Sequence, residues 1–165
     1  MDINYKTKLE DIEYSKFLTY TLRTMNDLEI DSLKDENFRE WIYKNFNSAF
    51  MNLNTYEFLK YVHNYVSSNI VYREDLYDEM IISPRIIISH NFLFGDCDDI
   101  SLLIKTILSF FNIKAKYILF SNSWGNFTHI ALIVDLNNKL IYLDGVRNDF
   151  NILPLNKYSF YKVIS

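Results

Sequence analysis

Gly95-Asp96-Cys97-Asp98-Asp99-Ile100-Ser101-Leu102-Leu103 is the stretch on which the fold turns. Its carboxylates crowd the point where a helix leaves backbone N–H groups unpaired and its dipole favours negative charge. Behind them Ile100, Leu103, Ile104, Ile107, Leu108 and Phe111 follow the i, i+3, i+4, i+7, i+8, i+11 spacing of a well-buried helix. Counting back three from Ile100 puts Cys97 on the same core-facing stripe. Asn112 supplies a stop.

Strands are expected downstream at Lys114–Phe120, Phe127–Asp135, Lys139–Asp144 and Tyr158–Ile164. Asn137-Asn138 makes a two-residue hairpin turn, because Asn tolerates positive φ. A hairpin symmetric about it pairs Leu136 with Lys139, Ile133 with Tyr142 and Ala131 with Asp144. Alternation then points Phe127, His129, Ala131 and Ile133 one way. His129 and Asp144 become diagonal neighbours on one face, roughly 7–8 Å apart at the backbone. A one-residue slip would separate them.

Upstream, the chain reads as helical from about Leu9 to Phe46. Leu18, Leu22, Met25 and Leu28 form a broken stripe; Phe38, Trp41, Ile42 and Phe46 form a cleaner one behind an Asp35 N-cap. A third helix spans Thr55 to Asn69 with Phe58, Leu59, Val62, Tyr65 and Val66 on its repeat and Thr55 as cap. Val71 to Phe94 is expected to be irregular, with Pro84 breaking any helix. Helices first and an antiparallel sheet second make an α+β protein.

Composition narrows the function classes. A chain of 165 residues fits one domain, and 49% apolar and 17% aromatic content argue against disorder. The net charge of −4 leaves no basic footprint for nucleic acid and no polybasic patch for anionic lipid. One cysteine makes no internal disulfide, which fits a reducing compartment or a role for the free thiol. No apolar run reaches membrane-spanning length, and the first residues lack a signal-peptide pattern. The expectation is a cytoplasmic protein with no membrane partner, no nucleic-acid partner and no cofactor.

Cys97, His129 and Asp144 supply a nucleophile, a base and an orienting carboxylate. The helix start lowers a thiol's pKa, while Asp96, Asp98 and Asp99 oppose this, so a neighbouring imidazolium is needed to hold a thiolate. Each residue also has a bland reading. Cys97 is then a small buried hydrophobe, His129 a satisfied core histidine and Asp144 a turn residue before Gly145.

Gly95-Asp96-Cys97-Asp98-Asp99-Ile100-Ser101-Leu102-Leu103, Asn112 to Tyr117, Thr128-His129-Ile130-Ala131 and Leu143-Asp144 together resemble the transglutaminase-like superfamily. The Gly-Asp-Cys-Asp-Asp start is the version met in its bacterial and phage-encoded members. The resemblance runs from about Thr55 to Asp144. It implies a papain-like α+β core with the Cys-bearing helix packed on an antiparallel sheet, residues 55–165, and residues 1–54 as a helical region of the same domain. It also implies catalysis with Cys97 as nucleophile, His129 as base and then acid, and Asp144 as orienter. The reaction would pass through a thioester on an amide, peptide or protein substrate, ending in hydrolysis with water or in crosslinking with an amine. Gly145 departs from the family pattern, which often has Pro there.

Other residues receive weaker readings. His63 is expected to be a half-exposed packing residue, His90 a loop residue on the approach to Cys97, and Trp124 a cleft wall or a cap on the sheet edge. Trp41 fits a core stripe. Asp96, Asp98 and Asp99 lack the spacing of a calcium loop, so no metal is expected. The rival to an enzyme is a binding or assembly module that keeps the fold without turnover, using Tyr72 to Tyr77 and Tyr158 to Tyr161 as an aromatic surface.

Overall fold

A computed structural model describes residues 16–75, 80–89, 94–123 and 126–164. Five helices and six strands follow in the order α1 (Lys16–Lys34), α2 (Glu36–Asn52), α3 (Thr55–Asn69), β1 (Val71–Tyr72), α4 (Pro84–Ser89), β2 (Phe94–Gly95), α5 (Cys97–Phe110), β3 (Lys116–Ser121), β4 (His129–Leu136), β5 (Lys139–Leu143) and β6 (Phe160–Ile164). The expected helix from Leu9 therefore begins outside the described residues. So do His90 and Trp124 lie outside them.

Local chemistry accounts for most boundaries. Asp35 caps α2 by accepting from the Phe38 N–H at 2.8 Å. At α3 the cap is Asn54 rather than Thr55. Asn54 Oδ1 accepts from Glu57 N at 3.0 Å, and the Glu57 carboxylate reaches back to Asn54 N, a capping box that leaves Thr55 as the first helical residue. Pro84 opens α4 instead of breaking a helix, because the first helical position needs no N–H and suits the fixed φ of proline. Asn112 takes φ 59° just past α5, as a helix stop requires.

The main sheet is antiparallel in the order β5-β4-β3-β6, and β1 and β2 form a small parallel pair. Asn137 and Asn138 adopt φ 53° and 65°, and the hairpin register is the expected one: Leu136 opposite Lys139, Ile133 opposite Tyr142. Alternation divides the sheet into two faces. Leu119, Ile130, Leu132, Val134, Ile141 and Leu143 join the helices in the larger core. Ile118, Phe120, Ala131, Ile133, Tyr142 and Tyr161 build a smaller cluster on the opposite face.

Helix α5 is the centre of the larger core, packing on β4 and on α1 to α4. That explains why its apolar positions exceed a single stripe: Leu102 is as fully buried as Leu103. Trp41 is half-buried against this core, as expected. Among the described residues no helix is long and apolar enough to cross a membrane.

Candidate functional site

The site begins where β2 hands over to α5. Asp96 caps α5, its Oδ1 accepting from Asp98 N at 3.2 Å, while Asp99 returns a bond from its Oδ2 to Asp96 N at 3.1 Å. Asp99 Oδ1 also accepts from Ile82 N at 2.6 Å, fastening the segment before α4 to this helix start. A Cβ on Gly95 would lie 2.6 Å from the Asp99 Cβ, so only glycine admits the Asp99 side chain. The Gly-Asp-Cys-Asp-Asp sequence is thus first a device for locking one helix terminus, and with it Cys97.

Three carboxylates gather there, with Asp96, Asp98 and Asp99 oxygens within 4.8 Å of one another. Their bonds to backbone N–H groups account for Asp96 and Asp99 as caps. Asp98 differs: its Oδ1 is buried without a hydrogen-bond partner. Burial, followed by the hydrogen bond and charge of Asp96, pushes its carboxyl up to about 9. Asp99 is pushed up to about 7, again chiefly by burial.

Cys97 is the first residue of α5, half-buried against the larger core. Ile130 lies just short of Leu132, where pairing with β5 begins, and its backbone serves α5 instead. Its carbonyl accepts from Ser101 Oγ at 3.1 Å, and its N–H faces the Cys97 sulfur. Burial pushes the Cys97 thiol up to about 12, and Asp96, Asp98 and Asp144 add to the rise against the Ile130 N–H. The helix start by itself therefore does not hold a thiolate, in line with the sequence reading that a further partner is needed. The desolvation of the sulfur outweighs the dipole.

His129, the first residue of β4, sits at the end of the sheet beside Ile130. Its Nε2 donates to Asp144 Oδ2 at 2.8 Å. The pairing expected from the Asn-Asn hairpin is realised, although β4 starts two residues late. Phe127 consequently packs with the larger core instead of sharing the face of Ala131 and Ile133. The imidazole lies on the smaller-core face, stacked on Phe120 at 6.0 Å and on Tyr158 at 5.9 Å with the last two rings 4° from parallel. Cys97 approaches from the other face, and no hydrogen bond joins its thiol to His129. The two meet around the N-terminal end of β4. With Nε2 committed to an ionised carboxylate, the neutral ring carries its lone pair on Nδ1.

Asp144 is almost completely enclosed, 1% exposed. Oδ2 also accepts from Tyr142 Oη at 2.9 Å and forms an ion pair with Arg147 Nε at 3.3 Å, and Oδ1 accepts from Val146 N at 3.2 Å. Burial raises this carboxyl, but the bond and charge of His129, then Tyr142 and Val146, bring it below its ordinary value. Its carbonyl accepts from Arg147 N and from His63 Nε2, each at 3.0 Å.

His63 is a correction. It is fully buried, not half-exposed, and ties α3 to the turn after β5. Leu59, Val62, His63 and Val66 fall at i, i+3, i+4 and i+7, so the helical repeat itself carried the signal. Arg147 and Tyr158 had none, since their relation to Asp144 and His129 exists only in the folded chain. Of the expected aromatic surface, Tyr161 is buried in the smaller core, Tyr158 is half-buried against His129, Tyr72 is exposed, and Tyr77 lies outside the described residues.

Gly145 explains its own departure from the expected pattern. A Cβ there would lie 2.5 Å from Ile100 Cγ2 and 2.7 Å from Ile104 Cδ1, so the turn carrying Asp144 rests directly on α5. Gly145→Ala is expected to destabilise the chain by about 1–3 kcal/mol. A thermal midpoint within a degree of the parent would contradict this close approach.

Comparison with known proteins agrees at the level of architecture. No family model matches the chain, and no curated protein does. Among solved structures, a proposed cysteine protease of Cytophaga hutchinsonii superposes with TM-score 0.56 at 18% identity, over 79% of this chain and 44% of that one. A proposed protease of Parabacteroides distasonis matches with TM-score 0.57 at 10% identity, over 75% of this chain and 26% of that one. Legionella pneumophila LapG matches with TM-score 0.51 at 13% identity, over 76% of this chain and 75% of that one. The likeness is one of fold. The chain has the α+β, papain-like core that its sequence resembles, and it spans less than half the length of the first two neighbours.

Proposed function

We propose that the chain is a cysteine-dependent acyl-transfer enzyme of transglutaminase-like type, acting as a hydrolase on an amide or peptide bond. The observation that carries this reading is the 2.8 Å bond from His129 Nε2 to Asp144 Oδ2 beside the helix start that bears Cys97. His129 Nδ1 would take the thiol proton as Sγ attacks the carbonyl carbon, forming the C–S bond. The Cys97 backbone N–H, in the unpaired first turn, would face the developing oxyanion. The imidazolium, stabilised by Asp144, would then protonate the leaving amine as the C–N bond breaks. Water deprotonated by His129 would cleave the thioester and release the acid and the thiol.

The two neighbours described as proposed proteases favour hydrolysis by analogy of fold. The test is an active ester or a fluorogenic peptide mixture, followed by intact mass. The expected result is an acyl adduct confined to Cys97, turnover that vanishes in Cys97→Ser, and release as acid even with a primary amine present. Transfer to the amine would instead mark a crosslinking enzyme. The rival reading, a papain-like module without turnover, draws on the thiol pushed up to about 12 and on the absence of a hydrogen bond from it to His129. Full turnover in Cys97→Ser, or none in the parent across a broad substrate set, would favour it.

A further inference from the structure

We propose that Arg147 is a positioning residue that keeps His129 available as a base by holding both groups that hold the imidazole. The inference rests on the Cys97-His129-Asp144 reading. Arg147 Nε lies 3.3 Å from Asp144 Oδ2, the same oxygen that accepts from His129 Nε2 at 2.8 Å. Its backbone N–H closes the turn onto the Asp144 carbonyl at 3.0 Å, which holds the Arg147 backbone beside that carboxylate. Its side chain also hydrogen-bonds the Tyr158 phenol, whose ring lies parallel to the imidazole at 5.9 Å. One cation therefore grips the carboxylate at the edge of the ring and the aromatic on its face.

Charge gives this clamp a consequence. The groups that face His129 are Asp144 and Tyr142 from β5 and the turn after it, Arg147 from that turn, Tyr158 from the segment before β6, and Cys97 from α5, with Asp96 and Asp98 behind it. Phe120 of β3 adds a ring without charge. The Asp144 carboxylate, bonded to Nε2, favours a protonated imidazole, in which Nδ1 can no longer accept the thiol proton. Arg147 is the permanent cation in this set, and it acts on the very carboxylate that favours imidazolium most.

The experiment is the pH profile of Cys97 alkylation by iodoacetamide in the full chain, for the parent, Arg147→Gln, Arg147→Lys and His129→Ala. Arg147→Gln is expected to move the rise in rate upward by about 0.5–1 pH unit. Arg147→Lys, which keeps the charge, is expected to stay within about a third of that shift. Arg147→Met replaces Gln if the latter does not fold. An unmoved profile in the neutral variant overturns the proposal, as does an equal shift in the Lys variant, which would make the fork and not the charge the cause. His129→Ala separates the two levels: if that variant alkylates like the parent, the underlying pair fails, whereas a drop there with an unmoved Arg147→Gln profile fails Arg147 alone.

Discussion

In His129→Ala, alkylation of Cys97 by iodoacetamide at pH 7 is expected to fall by about 10²–10⁴-fold. The reason lies in the state of the thiol. Held up to about 12 by burial and by Asp96, Asp98 and Asp144, an unaided Cys97 is thiolate in only about one molecule in 10⁵ at pH 7. Reactivity near neutrality then requires a base that takes the proton during attack, and in the proposed mechanism that base is His129 Nδ1, with Nε2 serving Asp144. The parent profile should rise through the neutral range, while that of His129→Ala should climb only toward the alkaline end. Since Cys97 is the sole cysteine, mass spectrometry reads this one site without interference. Equal profiles in the two proteins would sink the acyl-transfer reading and leave the papain-like module without turnover.

Asp98→Asn is expected to raise stability by about 2–4 kcal/mol at pH 9 and to leave it nearly unchanged at pH 4. Asp98 is pushed up to about 9 and Asp99 to about 7, both mainly by burial. A carboxyl raised in the folded state binds its proton more tightly there than in the unfolded chain. Its stabilising contribution is complete below the unfolded value, about 4, and is lost as pH rises through the folded value. The parent should therefore weaken between pH 4 and about 7 through Asp98 and Asp99 together, and on to about 9 through Asp98 alone. Asparagine keeps a donor toward Asp96 and carries no charge to desolvate, so the upper part of that decline should vanish while the Asp99 part persists. Thermal midpoints at pH 4, 7 and 9 check this, and parallel curves for parent and variant would contradict it. Asp144 has the opposite sign: its carboxyl is held low, and its contribution is lost only as pH falls below the ordinary carboxylate range.

The residues from Gly95 to Asp99 divide distinct tasks among themselves. Gly95, Asp96 and Asp99 are occupied with the helix terminus itself: room for a side chain, a cap, and a tie to Ile82. Asp98 burdens the site with a carboxyl that burial keeps protonated near neutral pH. Cys97 inherits its position from the first three and its suppressed acidity partly from the last. Loss of any cap would therefore move the sulfur as well as weaken the helix.

What the chain determines by itself is local. The 3.6-residue repeat behind Cys97, the Asp35 cap and the Asn137-Asn138 turn are interactions between residues close in sequence, and each forms as its neighbours dictate. The turn even fixes the register that brings His129 to Asp144, because strand pairing beyond it has a period of two. The departures at Thr55 and Pro84 are equally local: a better cap, Asn54, stands one residue earlier, and proline begins helices as readily as it ends them. Only the tertiary structure decided how far the thiol is desolvated, that the imidazole and the sulfur approach from opposite faces of β4, and that His63 and Arg147 close on Asp144 from elements remote in sequence or from a turn without periodicity. Desolvation and long-range charge depend on everything packed around a group, and no spacing along a chain records that.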